Sequence, residues 1–296
     1  MKRIKGFFLA FIAALFWGVS GVCAQFLFQE RGLNATWLVS IRLLVAGLIL
    51  LPVAVLSGHN PWNIWKNKRD ALALLLFGSL GVLSVQYTYI LTIEFSNAAT
   101  ATILQYVGPA MIFCYLAVKT RTVPGWVEWT SILLSIMGIF LLVTHGDYTT
   151  LLVSTRTFIW GILSAIALAF YTLQPMRLMA KYTAAVLLGW GFLIGGITLS
   201  IISPPWPMPG IWDAWTFINL GYIIVCGTIL SFLSYMLAVK WLGAKSASLI
   251  ATTEPIAASI VAVIWMHVPF GAIDWLACLL IVGAIILLTL FQRQWN

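Results

Sequence analysis

The chain has 296 residues, of which 62% are hydrophobic and only 8% charged, and its mean hydropathy is +1.02. A soluble domain carries about 25% charged residues, so most of this surface must face lipid; a water-soluble globule and a disordered chain are both excluded. The net charge of +8 would suggest nucleic acid in a soluble protein, but here the placement of the charges gives it another meaning.

Runs of about 20 apolar residues, the length that crosses a bilayer, fall in chain order at 7–29, 34–56, 71–93, 97–118, 124–143, 157–179, 183–203, 215–237, 245–266 and 271–291. The pattern predicts an all-α membrane protein of ten transmembrane helices. The first run is too long for the apolar part of a cleaved signal, and 25–31 offers no small-residue cleavage site. The joins are short and carry breakers, most densely in Pro204-Pro205-Trp206-Pro207-Met208-Pro209. No stretch is left for a soluble domain. Cys23, Cys114, Cys226 and Cys278 lie far apart inside apolar runs, as small core residues rather than a disulfide framework or metal site. Nothing calls for a cofactor.

Lysine and arginine orient the spans. With a cytoplasmic N-terminus, 13 of the 16 basic residues fall inside, among them Lys2, Lys68, Lys119, Arg177, Lys240 and Arg293. Arg31 and Arg156 are outside, and Arg42 sits within a span. The basic balance is therefore a topology signal directed at an anionic leaflet, and no nucleic acid is needed to explain it. Trp37, Trp62, Trp126, Trp212 and Trp275 gather near span ends as an interfacial belt.

Shifted by 146 residues, the chain matches itself at distinctive positions: Gly81 with Gly227, Tyr89 with Tyr235, Pro109 with Pro255, Gly125 with Gly271 and Trp129 with Trp275. Glu128 likewise meets Asp274. The expected halves are 1–146 and 147–296, five helices each. Five is odd, so the second half enters from the opposite side. The charges follow: outer Glu94 aligns with inner Lys240, and inner Lys119 and Arg121 align with outer Trp265 and His267. Inverted repeats are a recurrent build for secondary transporters, with the substrate between the halves.

Several phrases resemble the EamA-like branch of the drug/metabolite transporter superfamily. They are Ala14-Leu15-Phe16-Trp17-Gly18, Arg42-Leu43-Leu44-Val45-Ala46-Gly47, Ala101-Thr102-Ile103-Leu104-Gln105-Tyr106-Val107-Gly108-Pro109 and Thr253-Glu254-Pro255-Ile256. The resemblance implies ten helices in an inverted repeat, cytoplasmic termini, and movement of amino acids, amines or amphipathic drugs across a bacterial inner membrane. The Gly-Glu pair that commonly closes the fourth and ninth helices of that family is replaced here by Lys119-Thr120 and Met266-His267.

Two ionisable residues fall within spans, Arg42 in the second and Glu254 in the ninth. Each costs about 2.5–3.5 kcal/mol at a helix centre on insertion scales, so neither should face lipid. Pro255 removes the amide that would serve the Ala251 carbonyl and favours a kink beside Thr252, Thr253 and Glu254. Glu254 is expected either to exchange a proton or hold a substrate ammonium, or else to pair with Arg42 or a serine as a lock. Arg42 is expected to bind substrate, or to snorkel or pair with Glu30. The fourth span offers Thr100, Thr102, Gln105, Tyr106 and Pro109, the last expected to bend it as Pro255 does. Gln86, Tyr87 and Tyr89 of the third and Ser231, Ser234 and Tyr235 of the eighth either line the same path or bond between helices. Trp17 is mid-span and suits either packing or stacking on a substrate. Gly191 and Gly195 read as a close-packing face. His59, His145 and His267 read as interfacial.

The candidates for substrate binding or coupling are thus Glu254, Arg42, Trp17, Gln86, Tyr89, Thr102, Gln105 and Tyr235, with Pro109 and Pro255 as kinks and no catalytic or metal residue. The expected function is a secondary transporter working by alternating access, with export the adopted direction. Its partners are a small-molecule substrate, the bilayer and protons as candidate coupling ion. A nucleotide-driven pump lacks its GxxxxGK[ST] loop. An intramembrane hydrolase lacks Ser with His, paired aspartates at depth or HExxH. A non-transporting scaffold and an intramembrane enzyme are the weaker alternatives.

Overall fold

The computed structural model of the chain describes residues 2–122, 125–147, 154–266 and 271–291; Pro124, His267 and Arg293 lie outside the described residues. Within them every regular element is helical. The main helices are α1 (Lys2–Gln29), α2 (Ala35–Leu56), α3 (Lys68–Phe95), α4 (Ala98–Gln105), α5 (Val107–Thr120), α6 (Trp126–Thr144), α7 (Thr155–Leu173), α8 (Ala184–Ile202), α9 (Ala214–Leu242), α10 (Ala244–Ala251), α11 (Glu254–Met266) and α12 (Ala272–Phe291). Seven stretches among the described residues are long and apolar enough to cross a bilayer: α1, α2, α3, the run through α4 and α5, α7 with its following turn, α8 and α9. Shorter apolar helices lie at Trp126–Leu142 and Ala272–Leu287. Large apolar side chains such as Leu48, Leu133, Ile201, Ile264 and Leu279 are exposed around the bundle, as lipid contact requires.

Short polar residues set several helix starts. Asn34 accepts from the Trp37 amide at 2.8 Å, Asn97 from Thr100 at 2.7 Å and Asp213 from Thr216 at 2.8 Å. Each satisfies a donor that a helix start leaves without a partner. Packing then depends on glycine. A Cβ on Gly47 of α2 would stand 2.9 Å from the Gly189 carbonyl oxygen of α8, and one on Gly138 of α6 would stand 2.8 Å from that of Ala277 in α12. In lipid, where burying apolar surface between helices gains little, such close approach is what holds them together. Gly191 and Gly195, read as a packing face, press on Phe77 and on the Gly78 carbonyl of α3.

Two departures from regular helix place the polar groups. First, α3 and α9 each contain a widened π turn, Phe77–Leu83 and Val225–Leu230, a feature that frequently accompanies functional sites. Second, regular helix is interrupted within the expected fourth and ninth spans, beside the expected kinks. The chain leaves helix at Tyr106 between α4 and α5, and at Thr252-Thr253 between α10 and α11. Both breaks come just before the prolines, because Pro109 and Pro255 remove the amides that would have closed the preceding turn. A shift of 146 residues carries α2 onto α8, α3 onto α9, one break onto the other and α6 onto α12.

Ion pairs tie the loops together. Arg31 meets Asp213 at 3.1 Å, Asp70 meets Arg177 at 3.2 Å and Lys181 at 2.8 Å, and Glu128 meets Lys245 at 2.6 Å. Each joins residues that the span count puts on one side. His145 is more than interfacial: its Nδ1 lies 2.7 Å from Asp274, whose other oxygen accepts the Gly271 amide.

Candidate functional site

Glu254 opens α11 directly after the break and is 3% exposed. The freed backbone around it is satisfied in two ways. Thr252 and Thr253 turn their hydroxyls back onto the carbonyls of Leu249 and Ile250, at 2.6 and 2.9 Å. The Ala251 carbonyl, which Pro255 deprives of its helical donor, accepts instead from the hydroxyl of Tyr106. The Glu254 carboxyl lies between two phenols, with Tyr89 2.9 Å from Oε1 and Tyr106 2.8 Å from Oε2. α1 passes close by because Gly18 has no side chain: a Cβ there would stand 2.6 Å from the Glu254 carbonyl oxygen.

Arg42 is equally buried, 3% exposed, and is held by the π turn of α9. Its Nε donates to Thr228 Oγ1 at 2.9 Å and its Nη2 to the Gly227 carbonyl at 3.2 Å. Thr228 can accept because its own proton goes to Ile223 O at 2.7 Å. Neither lock expected from the sequence forms: Glu30 is exposed at the end of α1, and Glu254 bonds to tyrosines rather than to Arg42 or a serine.

These two groups face one small hollow between the helices. α1 contributes Trp17, Ser20 and Gly21, α2 Arg42, α3 Gln86 and Tyr89, α4 Gln105, and α11 Glu254, with Leu168 and Phe232 among the apolar walls. Gln105 donates to Ser164 Oγ at 2.6 Å. Two buried donors on this wall, Gln86 Nε2 and Trp17 Nε1, have no hydrogen-bond partner among the described residues. Leaving such a group unpaired costs about 1–3 kcal/mol, so each has reason to meet an acceptor brought by a ligand.

Of the eight residues singled out from sequence, Glu254, Arg42, Trp17, Gln86, Tyr89 and Gln105 line the hollow. Thr102 and Tyr235 stand behind it. Thr102 lies 3.0 Å from the Tyr89 hydroxyl, and Tyr235 packs 5.1 Å from Trp17, centroid to centroid, with its hydroxyl 3.0 Å from Thr172. Sequence reasoning missed Ser20, Gly21 and Thr228 and gave Tyr106 no weight beyond its neighbours. A hydroxyl or glycine in an apolar helix is too common to mark a site by itself.

A solved crystal structure covering 99% of this chain and 99% of its own matches with a TM-score of 0.81 at 14% identity, which shows a shared fold. The chain is 41% identical over 293 residues to the uncharacterized inner membrane transporter YicL of Salmonella typhimurium, covering 98% of this chain and 97% of that protein. It is 25% identical over 264 residues to the threonine/homoserine exporter RhtA of the same species, covering 88% and 84% respectively. The sequence model of the EamA-like transporter family matches twice, at residues 4–144 and 155–290. With that match across both stretches, the chain belongs to the EamA-like transporter family.

Proposed function

We propose that the chain is a secondary exporter of amino acids or related amines, built as two five-helix halves, 1–146 and 147–296, inserted with opposite topology and cytoplasmic termini. The matched π turns and matched helix breaks support the two halves. So do the exchanged pairings, in which α1 packs on α9 and α3 on α7, while α2 packs on α8 and α6 on α12. Alternating access then rocks one half against the other around a shared site.

The observation that carries the substrate reading is a buried guanidinium and a buried carboxyl on one hollow, each held by separate neutral partners. A zwitterion answers both: its carboxylate meets Arg42, in the charge-assisted geometry that arginine favours, and its ammonium meets Glu254. The unpartnered donors of Gln86 and Trp17 suit an additional acceptor on the ligand, such as a hydroxyl. The similarity to a threonine/homoserine exporter makes threonine the first substrate to test. A carboxyl that holds either a proton or an ammonium, but not both, would exchange proton entry for substrate exit.

Purified protein in liposomes, loaded with labelled threonine under an imposed pH gradient, provides the test. Wild type should release threonine faster when protons can flow inward. Glu254→Gln should lose that dependence, and Arg42→Ala should raise the threonine concentration needed for half-maximal flux. Wild-type flux with unchanged pH dependence in Glu254→Gln would end the assignment of Glu254.

A further inference from the structure

Tyr106 stands at both helix breaks. It is the junction residue between α4 and α5, and its hydroxyl reaches both the Ala251 carbonyl and Glu254 Oε2 at the break between α10 and α11. A phenol has a single proton to donate. The Ala251 carbonyl is an acceptor only, and Pro255 has removed its helical donor, so it takes that proton. The 2.8 Å contact between Tyr106 and Glu254 then needs a hydrogen from the carboxyl. On the other oxygen, the Tyr89 hydroxyl at 2.9 Å supplies the donor, and the Thr102 hydroxyl at 3.0 Å donates to Tyr89 in turn. With the acid neutral the chain of bonds closes as Thr102 to Tyr89, Tyr89 to Oε1, Oε2–H to Tyr106 and Tyr106 to Ala251; with the acid ionised both phenols donate to it.

We propose that Tyr106 is a positioning residue that ties the protonation of Glu254 to the geometry of the α10–α11 break. The proposal rests on the reading of Glu254 as the coupling acid. When the carboxyl gives its proton to water in the hollow, the carboxylate draws the Tyr106 hydrogen to itself, because charge-assisted hydrogen bonds are roughly twice as strong as neutral ones. The Ala251 carbonyl is then stripped of its partner in apolar surroundings, which is costly. The break must move until that carbonyl finds another donor. Losing a proton and reshaping the broken helix thus become one event, the kind of differential contact that shifts a two-state equilibrium.

The other titratable groups facing this one are few. α3 brings Tyr89, α2 brings Arg42 across the hollow, and α9 brings Tyr235 behind Trp17. α1 brings Trp17, Ser20 and two glycines, and α4 brings Gln105. α6, which packs against α11, carries no titratable residue between Glu128 and its end, and Lys245 of α10 is paired with Glu128.

The experiment is infrared difference spectroscopy on the whole protein in lipid vesicles. It reads, against pH, the protonated-carboxyl stretch that Glu254→Gln removes. Pro255→Ala restores an amide for Ala251 and frees the Tyr106 proton for the carboxylate, so the band should vanish at a pH lower by about one unit, the size expected of one hydrogen bond to a charge. Tyr106→Phe removes that donor and should shift the band the opposite way, and in the double variant the effect of Pro255→Ala should disappear. Pro255→Gly restores the same amide if Pro255→Ala does not reach the membrane. A proline that merely shapes the helix would leave the midpoint in place, or move it equally in the Tyr106→Phe background; either result overturns the role of Tyr106. A Glu254 band that titrates but ignores Pro255→Ala removes only this inference. If Glu254→Gln changes neither spectrum nor threonine flux, the coupling-acid reading itself falls.

Discussion

At the break between α4 and α5 the chain reads Gln105-Tyr106-Val107-Gly108-Pro109, and at the break between α10 and α11 it reads Ala251-Thr252-Thr253-Glu254-Pro255. In both, a proline in the first turn of the second helix removes the amide that would have continued the first. The residue before the proline differs. Gly108 lets α5 press on α7, where a Cβ would stand 3.1 Å from the Ala165 carbonyl oxygen. Opposite Glu254 it is the neighbour that gives way, through Gly18 of α1. The same backbone device thus serves as a packing joint in one place and as a seat for an acid in the other. The joint also supports the seat, because its Tyr106 fills the carbonyl that the second break leaves open.

Making the two sites alike should have the largest effect. Glu254→Gly would turn the second break into a copy of the first, and threonine flux in liposomes should fall by at least about tenfold, the equivalent of one lost charged contact. Retained flux would mean that the difference between the breaks has no bearing on transport. Next in size is Gly18→Ala. Its Cβ would sit 2.6 Å and 2.9 Å from backbone atoms of Glu254 and Ala258, an overpacking worth about 1–3 kcal/mol. Alanine returns up to about 1 kcal/mol of helix propensity, and the balance should appear as a lower Tm in detergent. Gly108→Ala meets its neighbours at 3.1–3.2 Å, which small shifts relieve, so helix propensity should leave its stability within about 0.5 kcal/mol of wild type and its Tm nearly unchanged. Equal melting shifts at the two glycines would contradict the packing difference described here.

The smallest effect is expected far from both breaks. The Thr216 amide first, and then the Thr216 hydroxyl and Arg31, hold the Asp213 carboxyl below its usual range. A lowered value means that its stabilisation is complete above the ordinary carboxylate range, about pH 4. It is lost as pH falls through the lowered value. Asp213→Asn should therefore melt slightly below wild type at neutral pH, and the two should converge in acid. A gap of constant size down to about pH 3 would assign the effect to cap shape rather than charge.

The candidate site was partly legible because a charge inside an apolar run is conspicuous, which is why Arg42 and Glu254 stood out before any fold was known. Their partners were not legible. The sequence left Arg42 open between substrate, snorkelling and Glu30, whereas its hydrogen bond goes to Thr228, 186 residues away. Thr102 and Tyr235 share helix faces with residues that line the hollow, but periodicity says which side chains lie together and not where that face points. Pro109 and Pro255 announced a disturbance in each helix, yet a missing amide does not by itself distinguish a bend from a break. That depends on whether another group satisfies the released carbonyls.

From sequence alone came the apolar runs, the grouping of loop charges by side and the 146-residue self-match, because each rests on local hydropathy or on residues read in register. The tertiary structure alone decided which polar groups share the hollow, which of its donors stay unpaired, and that Tyr106 closes a carbonyl 145 residues distant. Those are hydrogen bonds between helices, and their partners are chosen by how closely glycine-faced helices approach, a property that no single segment carries.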